Sequence, residues 1–185
     1  MHQEPTFGVI VPTLNPGPAF SAWLDGLKRQ SRQPDYALVL DSQSSDGTPE
    51  RAAEAGLKVV EVPREHFDHG GTRQLGASYL QRADVLVYLT QDAVLNDPYA
   101  LENIIACFSD PRVGSAFGRQ VPGRDATALA AFHRRYNYPA RSYAVTQARL
   151  PKMGIRGIFC SNSFAAYRTS ALREVGGFPA RLIMG

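Results

Sequence analysis

Short apolar runs alternate along this chain with stretches in which apolar residues recur every three or four positions. The runs cover residues 7–11, 37–40, 59–62 and 85–89, and each ends in polar or acidic residues. Alternation of this kind is typical of strands and helices in turn, and it predicts an α/β fold. We expect a Rossmann-type, mostly parallel sheet with helices on both faces, whose strand ends border a ligand crevice.

The stretches between the runs carry helix signals. Phe20, Trp23, Leu24 and Leu27 share one face, which predicts an amphipathic helix beginning near Ala19. A second helix is expected with Thr48 at its N-cap and Gly56 at its end, and a third from Thr72, with Leu75, Tyr79 and Ala83 on its apolar face. Asp97 and Pro98 open the next helix. The rest of the chain is expected to form a strand over 113–117, a helix over 127–138, a strand over 163–167, and a helix over 169–175 closed by Gly176 and Gly177.

Composition narrows the class of protein. With 185 residues, 44% hydrophobic and 20% charged, the chain fits one globular domain with its own core. The net charge is +3, and the basic residues are scattered along the chain with a modest concentration over residues 134–156. A solvated basic face explains this distribution better than a dedicated anion-binding surface. Anionic membrane lipid is the alternative partner for that face. No nucleic-acid recognition motif is present, so we expect no nucleic acid partner.

Two further absences in the sequence bear on location. The two cysteines, Cys107 and Cys160, are not in a metal-binding or redox spacing, and no apolar stretch has the length of a membrane span. No secretion signal is evident at the start of the chain. We therefore expect a cytoplasmic protein, with the inner face of the membrane as the alternative.

Polar residues at the strand ends suggest a metal and a nucleotide. Asp92 follows a buried strand, where a hard divalent cation could bridge it to phosphates, whereas a capping role is less favoured because Asp97 already caps the next helix. Because Thr90 and Gln91 are neutral, the site would use one carboxylate, phosphate oxygens and water, which suits Mg²⁺ or Mn²⁺. Asp41 could accept a hydrogen bond from the imino N–H of a pyrimidine. The alternative, bonding of turn amides, fits Asp46 better than Asp41.

The segment 65–73 combines histidines, acids, a glycine pair and an arginine beside a helix start. The glycines allow close backbone approach, and Arg73 with the helix amino end would favour a phosphate. Zinc held by His66, Asp68 and His69 is the weaker hypothesis, because the three lie too close in sequence to converge and no fourth ligand is evident.

At these motifs the chain resembles the inverting nucleotide-sugar glycosyltransferases of family two, which have a GT-A fold. Residues 9–15 match their opening strand, 41–48 their acidic Ser-Ser-Asp-Gly-Thr turn, and 176–178 a Gly-Gly-Phe segment on the acceptor side. Residues 90–92 stand at the family's Asp-x-Asp motif, with Thr90 in place of the first acid, which affects the usual ribose contact. Residues 66–73 look most like the rhamnosyltransferase branch, which uses dTDP-rhamnose.

The resemblance implies a site and a reaction. Donor-binding residues would be Thr13, Asn15, Asp41, Ser44, Arg73, Thr90 and Gln91, with Arg73 beside the base or phosphates and Asp92 carrying the metal. A sugar, rhamnose in that branch, would pass from a dTDP- or UDP-sugar to a hydroxyl of a saccharide or lipid-linked acceptor, with inversion, in cell-surface polysaccharide synthesis.

The family places its general base soon after Gly-Gly-Phe, so the base is expected beyond Gly185. We therefore expect residues 1–185 to form a single donor-binding domain that is truncated at its acceptor end and turns over poorly. A non-catalytic sugar-nucleotide-binding module is the alternative. A nucleotidyltransferase would need a Gly-rich basic loop after the first strand, and a dehydrogenase would need G-x-G-x-x-G there, and neither motif is present.

Overall fold

The sheet predicted from the sequence is present in the computed structural model, which describes residues 4–123 and 126–180. Six strands lie in the order β3-β2-β1-β4-β6-β5. The first four strands are mutually parallel, whereas β6 runs antiparallel to both β4 and β5. Their bounds are β1 Phe7–Thr13, β2 Tyr36–Asp41, β3 Lys58–Glu61, β4 Val85–Leu89, β5 Ser115–Phe117 and β6 Phe164–Arg168. The mostly parallel α/β prediction is confirmed.

Helices connect the strands and cover both faces of the sheet. They are α1 Ala19–Lys28, α2 Thr48–Glu54, α3 His69–Tyr79, α4 Ala100–Ala106, α5 Ala128–Asn137, α6 Leu150–Met153 and α7 Thr169–Glu174. Short 3₁₀ turns occur at Arg64–His66, Cys107–Ser109, Gln147–Arg149 and Gly154–Gly157.

Alternation along the strands divides the core between the two faces. Val9 and Val11 of β1 pack, with Val87 of β4, against the apolar stripes of α1 and α4. Ile10, between those valines, points to the other face and packs with Leu86 among residues of α3 and α7. Because both faces are covered, these strands are apolar throughout, as parallel sheets require.

The face that α3 turns to the sheet differs from the prediction. Leu75 and Tyr79 are 36% and 45% exposed, and the buried positions include Gly76 and Ala77. A Cβ on Gly76 would lie 2.7 Å from Ile10 Cγ2, so the helix sits too close to the sheet for large side chains. The apolar spacing was a wrong guide because close approach selects small residues. The helix also begins at His69 rather than Thr72, because the Asp68 side chain caps it by accepting from the Gly71 N–H at 2.7 Å.

Other element boundaries shift by only a few residues. Gly47, not Thr48, is the N-cap of α2, and Thr48 is its buried first residue. Asp97 caps a turn by accepting from the Tyr99 N–H at 2.9 Å, so α4 begins at Ala100. The strand expected over 113–117 is shortened to β5, whereas β4 has the predicted bounds. The helix expected over 127–138 is α5, and the Thr127 side chain caps it.

Among the described residues, none of the helices combines the length and the apolar character that crossing a bilayer requires.

Close packing of α3 on the sheet can be tested by substitution. Gly76→Val would place branched carbons against Ile10 and against Leu40, whose Cδ1 would lie 3.1 Å from a Cβ. We expect this overpacking to lower the free energy of unfolding by about 2 kcal/mol in urea titrations. Ser78→Val on the exposed side of the same helix is the control and should change it by less than about 0.5 kcal/mol. Equal losses for both variants would contradict the close approach.

Candidate active site

The carboxyl ends of β1 and β2 are joined by a buried carboxylate. Thr13 and Asp41 are register partners at the last positions of their strands, and each is 2% exposed. The Thr13 hydroxyl donates to Asp41 Oδ1 at 2.7 Å. Ser44 adds its hydroxyl to Oδ1 at 2.6 Å and its backbone N–H to Oδ2 at 2.7 Å. Asp41 therefore bonds the turn after β2, as the alternative had it. Ser44 is the one described hydrogen-bond donor to Oδ2, and a carboxylate oxygen has the capacity to accept a second hydrogen bond.

The loop after β1 is tied to the same turn. The Asn15 N–H donates to the Ser44 hydroxyl oxygen at 2.8 Å, and the Ser45 N–H donates to Asn15 Oδ1 at 2.8 Å. Asn15 adopts a positive φ of 44°, a conformation that asparagine tolerates better than most residues. Asn15 and Ser44 thus lie together beside Asp41, at the exposed rim of the two strand ends.

Asp46 has the turn-stabilising role that its position suggested. Its carboxylate accepts from the Gly17 N–H at 2.6 Å and from the Thr48 N–H at 3.1 Å. Burial works against ionisation, but these hydrogen bonds outweigh it, and the pKa of Asp46 lies below its ordinary value.

Gln91 links the loop after β4 to the loop after β1. Its side-chain oxygen accepts from the Leu14 N–H at 2.7 Å, and its amide nitrogen donates to the Leu14 carbonyl at 3.3 Å. The side chain predicted to contact donor is thus occupied in holding two loops together. Asp92, the next residue, is exposed. Thr90 presents a buried hydroxyl that has no hydrogen-bond partner within the described residues.

These contacts bring the predicted residues to one edge of the sheet. Asp41 connects through Ser44 to Asn15, and Leu14 connects through Gln91 to Asp92. Asp41 and Asp92 therefore border the same strand-tip edge, as a shared nucleotide and metal site requires. Two open cavities in the described chain lie away from this edge and contain none of the predicted site residues: one borders α1 and α2, the other lies between α3 and α7.

Arg73 is a buried cation on the first turns of α3. It is 7% exposed, and its Nη1 donates to the His69 carbonyl at 2.7 Å. Its Nε has no partner, and none of the ion pairs among the described residues includes it. Burial lowers the pKa of Arg73, but an arginine stays protonated at neutral pH. Burying an uncompensated charge is costly, so the arrangement favours an anionic ligand at this position.

An aromatic cluster lies beside Arg73. The Tyr88 hydroxyl donates to the Arg73 carbonyl at 3.0 Å, and Tyr88, Tyr167 and Phe178 meet edge to face with ring centroids 5.0 to 5.9 Å apart. Burial raises the pKa of Tyr88 and of Tyr167, so both hydroxyls stay neutral. The chain after Phe178 returns to the start of α3, where a Cβ on Gly70 would overlap the Pro179 carbonyl oxygen. The Gly-Gly-Phe segment thus packs on the site's own helix.

The donor set fits a metal that keeps most of its ligands from outside the protein. No group of three or more His, Cys, Asp or Glu in the described part of the chain could hold a metal ion, and this includes His66, Asp68 and His69. Asp68 is the cap of α3 instead. Asp92, a single exposed carboxylate, fits Mg²⁺ or Mn²⁺ bound through phosphate oxygens and water.

Two arginines that the sequence did not single out position the strand-tip loops. Arg64 donates to the carbonyls of Ser42 and Gln43, at 3.2 and 2.7 Å. Arg51 donates to the carbonyls of Gly47 and Gly17, at 3.2 and 3.1 Å. No local pattern could have revealed these roles, because most of these contacts join residues distant in sequence.

The described acids after Asp92 have structural partners or lie on exposed helices. Glu102 accepts from the Ser31 hydroxyl at 2.6 Å, and Asp97 caps its turn. A hydrogen bond from the Arg112 side chain lowers the pKa of Asp110 to about 2, too low for an efficient general base at neutral pH. Glu174 is exposed at the end of α7. The side-chain hydrogen bonds described for these acids join them to Ser31, Tyr99 and Arg112, and none of these partners belongs to the strand-tip edge.

Comparison with known proteins gives the chain its relatives. Residues 8–176 match the family described as glycosyl transferase family 2. The O-antigen chain rhamnosyltransferase RfbN of Salmonella typhimurium is 41% identical over 177 residues, which are 95% of this chain and 56% of the relative. The O-antigen chain rhamnosyltransferase WbaN of Salmonella anatum is 37% identical over 97% of this chain and 58% of the relative. The chain spans a little over half the length of these curated relatives.

Solved structures share the GT-A fold. The mannosyltransferase PcManGT from Pyrobaculum calidifontis, in complex with GDP-Man and Mn²⁺, has a TM-score of 0.71 at 22% identity, over 97% of this chain and 49% of that one. Glucosyl-3-phosphoglycerate synthase from Mycobacterium tuberculosis, in complex with Mn²⁺, UDP and glucosyl-3-phosphoglycerate, has a TM-score of 0.61 at 20% identity, over 90% and 57%. At such identities the likeness establishes the fold alone.

The coupling between Thr13 and Asp41 can be measured with a double-mutant cycle. Thr13→Val and Asp41→Asn, alone and together, should show a coupling free energy of about 1 to 2 kcal/mol in urea unfolding, because the bond is buried. Thr6 and Asp84 form a similar 2.8 Å bond in an exposed position at the opposite edge, and that pair is the control. Its coupling should stay below about 0.5 kcal/mol. Similar couplings for both pairs would show that the buried carboxylate holds nothing special together.

Proposed function

The chain belongs to glycosyl transferase family 2, and on that premise we propose that its strand-tip edge binds a nucleotide-diphosphate sugar. The sugar would pass to an acceptor hydroxyl with inversion at the anomeric carbon. One observation carries the proposal most directly: Arg73 is a buried cation without a carboxylate partner in the described chain, on the helix that begins at this edge. A diphosphate is the kind of ligand that would compensate its charge.

The residues have separate roles in this scheme. Arg73 binds phosphate oxygens, and Asp41 Oδ2 accepts a second hydrogen bond from the imino N–H of a pyrimidine. Thr13, Ser44 and Gln91 position the loops through the contacts described above, with Asn15 at the rim. Thr90 offers its unpartnered buried hydroxyl to the donor.

A divalent cation completes the donor side. Asp92 would hold Mg²⁺ or Mn²⁺, which when bound neutralises the charge that develops on the leaving diphosphate. The Mn²⁺ complexes of the mannosyltransferase and the synthase support this choice of metal.

The donor we propose is a dTDP- or UDP-sugar, with rhamnose from dTDP-rhamnose as the first candidate. The names of the two O-antigen relatives support rhamnose, and they support a saccharide or lipid-linked acceptor in cell-surface polysaccharide synthesis. The fold does not determine which nucleobase is bound, since the similar solved structures contain GDP-Man in one case and UDP in another. A cytoplasmic location, at the inner face of the membrane, belongs to the same proposal.

The acceptor proton needs a general base, and the described acids after Asp92 do not offer one. We therefore propose that residues 1–185 supply the donor half of the site and that the base, whose identity is open, is not among the described residues. The same observation favours a second candidate, a sugar-nucleotide-binding module without catalysis. Donor binding without hydrolysis or transfer in the full-length protein would identify that module.

Substitution of Arg73 separates ligand binding from stability. Arg73→Met removes a desolvated charge, so the free chain should keep or gain stability while its affinity for dTDP falls about tenfold to a hundredfold. Calorimetric titration and thermal unfolding measure the two effects. Arg82→Gln, on the exposed turn after α3, is the control and should change neither. A loss of stability with unchanged affinity would mean that Arg73 only supports the fold.

Titration with dTDP, UDP and GDP, each with and without Mn²⁺, tests both the metal dependence of binding and the nucleobase preference. Mn²⁺ should strengthen dTDP and UDP binding, and Asp92→Asn should remove this gain, a loss of about tenfold or more. Asp25→Asn, an exposed carboxylate on α1, should behave like the unaltered chain. A preference for GDP would count against the role of Asp41, and a metal effect that survives Asp92→Asn would count against the metal site.

A further inference from the structure

Helix α5 turns its large apolar side chains to solvent. Leu129, Phe132 and Tyr136 recur at helical spacing on one face and are 68%, 61% and 59% exposed, whereas Ala130 and Ala131 on the opposite side are half-buried. No residue of α5 is fully buried. An amphipathic helix on a globular core normally does the reverse, so these side chains are not packed into the core of the described chain.

The neighbouring 3₁₀ turn extends the apolar face. Ile155 and Ile158 are 82% and 70% exposed. Arg156 stacks on the Tyr136 ring at 4.3 Å and joins the turn to α5. Tyr138 and Phe159 pack with Phe117 at the end of β5, with ring centroids 5.6 to 6.2 Å apart, and anchor the segment to the sheet. We call Leu129, Phe132, Tyr136, Ile155 and Ile158 the apolar stripe.

The segment of the chain that carries the stripe has charged residues of a single sign. Residues 126–163 contain six Lys or Arg and no Asp or Glu. On α5 the exposed Arg135 flanks the stripe, whereas the half-buried Arg134 lies on the side of Ala130 and Ala131. Further exposed basic residues follow at Arg141, Arg149, Lys152 and Arg156. A solvated face of an ordinary domain mixes both signs, whereas aromatic and aliphatic side chains flanked only by basic ones are typical of elements that lie in the interface of an anionic bilayer.

We propose that the apolar stripe and its basic flank dock this domain on an anionic phospholipid surface. Aliphatic and aromatic side chains would enter the headgroup region, and the arginines would pair with lipid phosphates. The segment leaves the sheet at the carboxyl end of β5 and returns at Phe164, beside the end of β4. Docking therefore holds the strand-tip edge near the membrane. Its purpose, access to a lipid-linked acceptor, rests on the proposed function, whereas the docking itself does not.

Vesicle co-sedimentation of the 185-residue chain, without donor or acceptor, tests the proposal. The chain should bind phosphatidylcholine vesicles containing phosphatidylglycerol, bind pure phosphatidylcholine much more weakly, and dissociate as salt rises. Arg135→Gln with Arg149→Gln should weaken binding to the anionic vesicles by roughly 25-fold, about fivefold for each charge. Arg29→Gln with Arg82→Gln, an equal change of net charge at exposed positions elsewhere, should leave it within about twofold.

The apolar part has its own pair of variants. Phe132→Ser with Ile155→Ser should weaken vesicle binding about tenfold and leave thermal unfolding nearly unchanged, because both side chains are exposed. Tyr99→Ser with Val175→Ser removes two exposed apolar residues outside the stripe and is the control.

Several outcomes would overturn the proposal. Equal binding to neutral and anionic vesicles, or equal losses of binding in the control pairs, would do so. Binding to duplex DNA as tight as binding to vesicles, and unchanged by Phe132→Ser, would point to a nucleic acid instead. A dimer that Phe132→Ser with Ile155→Ser converts to a monomer, in a chain that does not bind vesicles, would show that the stripe binds a second copy. Binding of dTDP is measured separately, so failure of docking leaves the donor site standing, and failure of the donor site leaves docking standing.

Discussion

The buried carboxylate of Asp41 is the interaction on which the strand-tip edge depends. It takes the Thr13 hydroxyl from the neighbouring strand and two hydrogen bonds from Ser44 in the following turn. Through Ser44 and Asn15, and then through Gln91, the loops after β1, β2 and β4 become one connected unit. A connected hydrogen-bond network of this kind is rigid, and a rigid rim can hold ligand-binding side chains in place before the ligand arrives.

The side chains at this edge fall into two groups. Thr13, Ser44 and Gln91 form hydrogen bonds within the protein. Arg73 and Thr90, in contrast, each have a buried polar atom with no hydrogen-bond partner among the described residues, and Asp92 is exposed. Unpaired buried groups destabilise a fold, so their concentration beside a rigid rim is typical of a site that a ligand completes. This division is why family membership and the geometry support the same function.

How far the sequence predicts this molecule depends on the range of the interactions. The strands follow from local apolar runs, and β4 has its predicted bounds. The prediction that Leu75 and Tyr79 of α3 face the sheet was wrong. The face that packs is decided by contact between Gly76 and Ile10, which depends on how closely two distant segments approach. The role of Gln91 escaped notice for the same reason: its partner, Leu14, lies 77 residues away. Residue types predicted a phosphate and metal site, but only the fold could show which of these side chains already have hydrogen-bond partners in the protein.

One measurement addresses the central claim directly. Mn²⁺ broadens the NMR signals of nearby amides, so adding dTDP with substoichiometric Mn²⁺ to ¹⁵N-labelled chain locates the bound metal and nucleotide. The amide signals of Leu14 and Asn15 in the loop after β1, and of Ala93 in the loop after β4, should broaden only when dTDP and Mn²⁺ are both present. Broadening confined to the groove between α3 and α7, around Gln74 and Gly177, would contradict a strand-tip site.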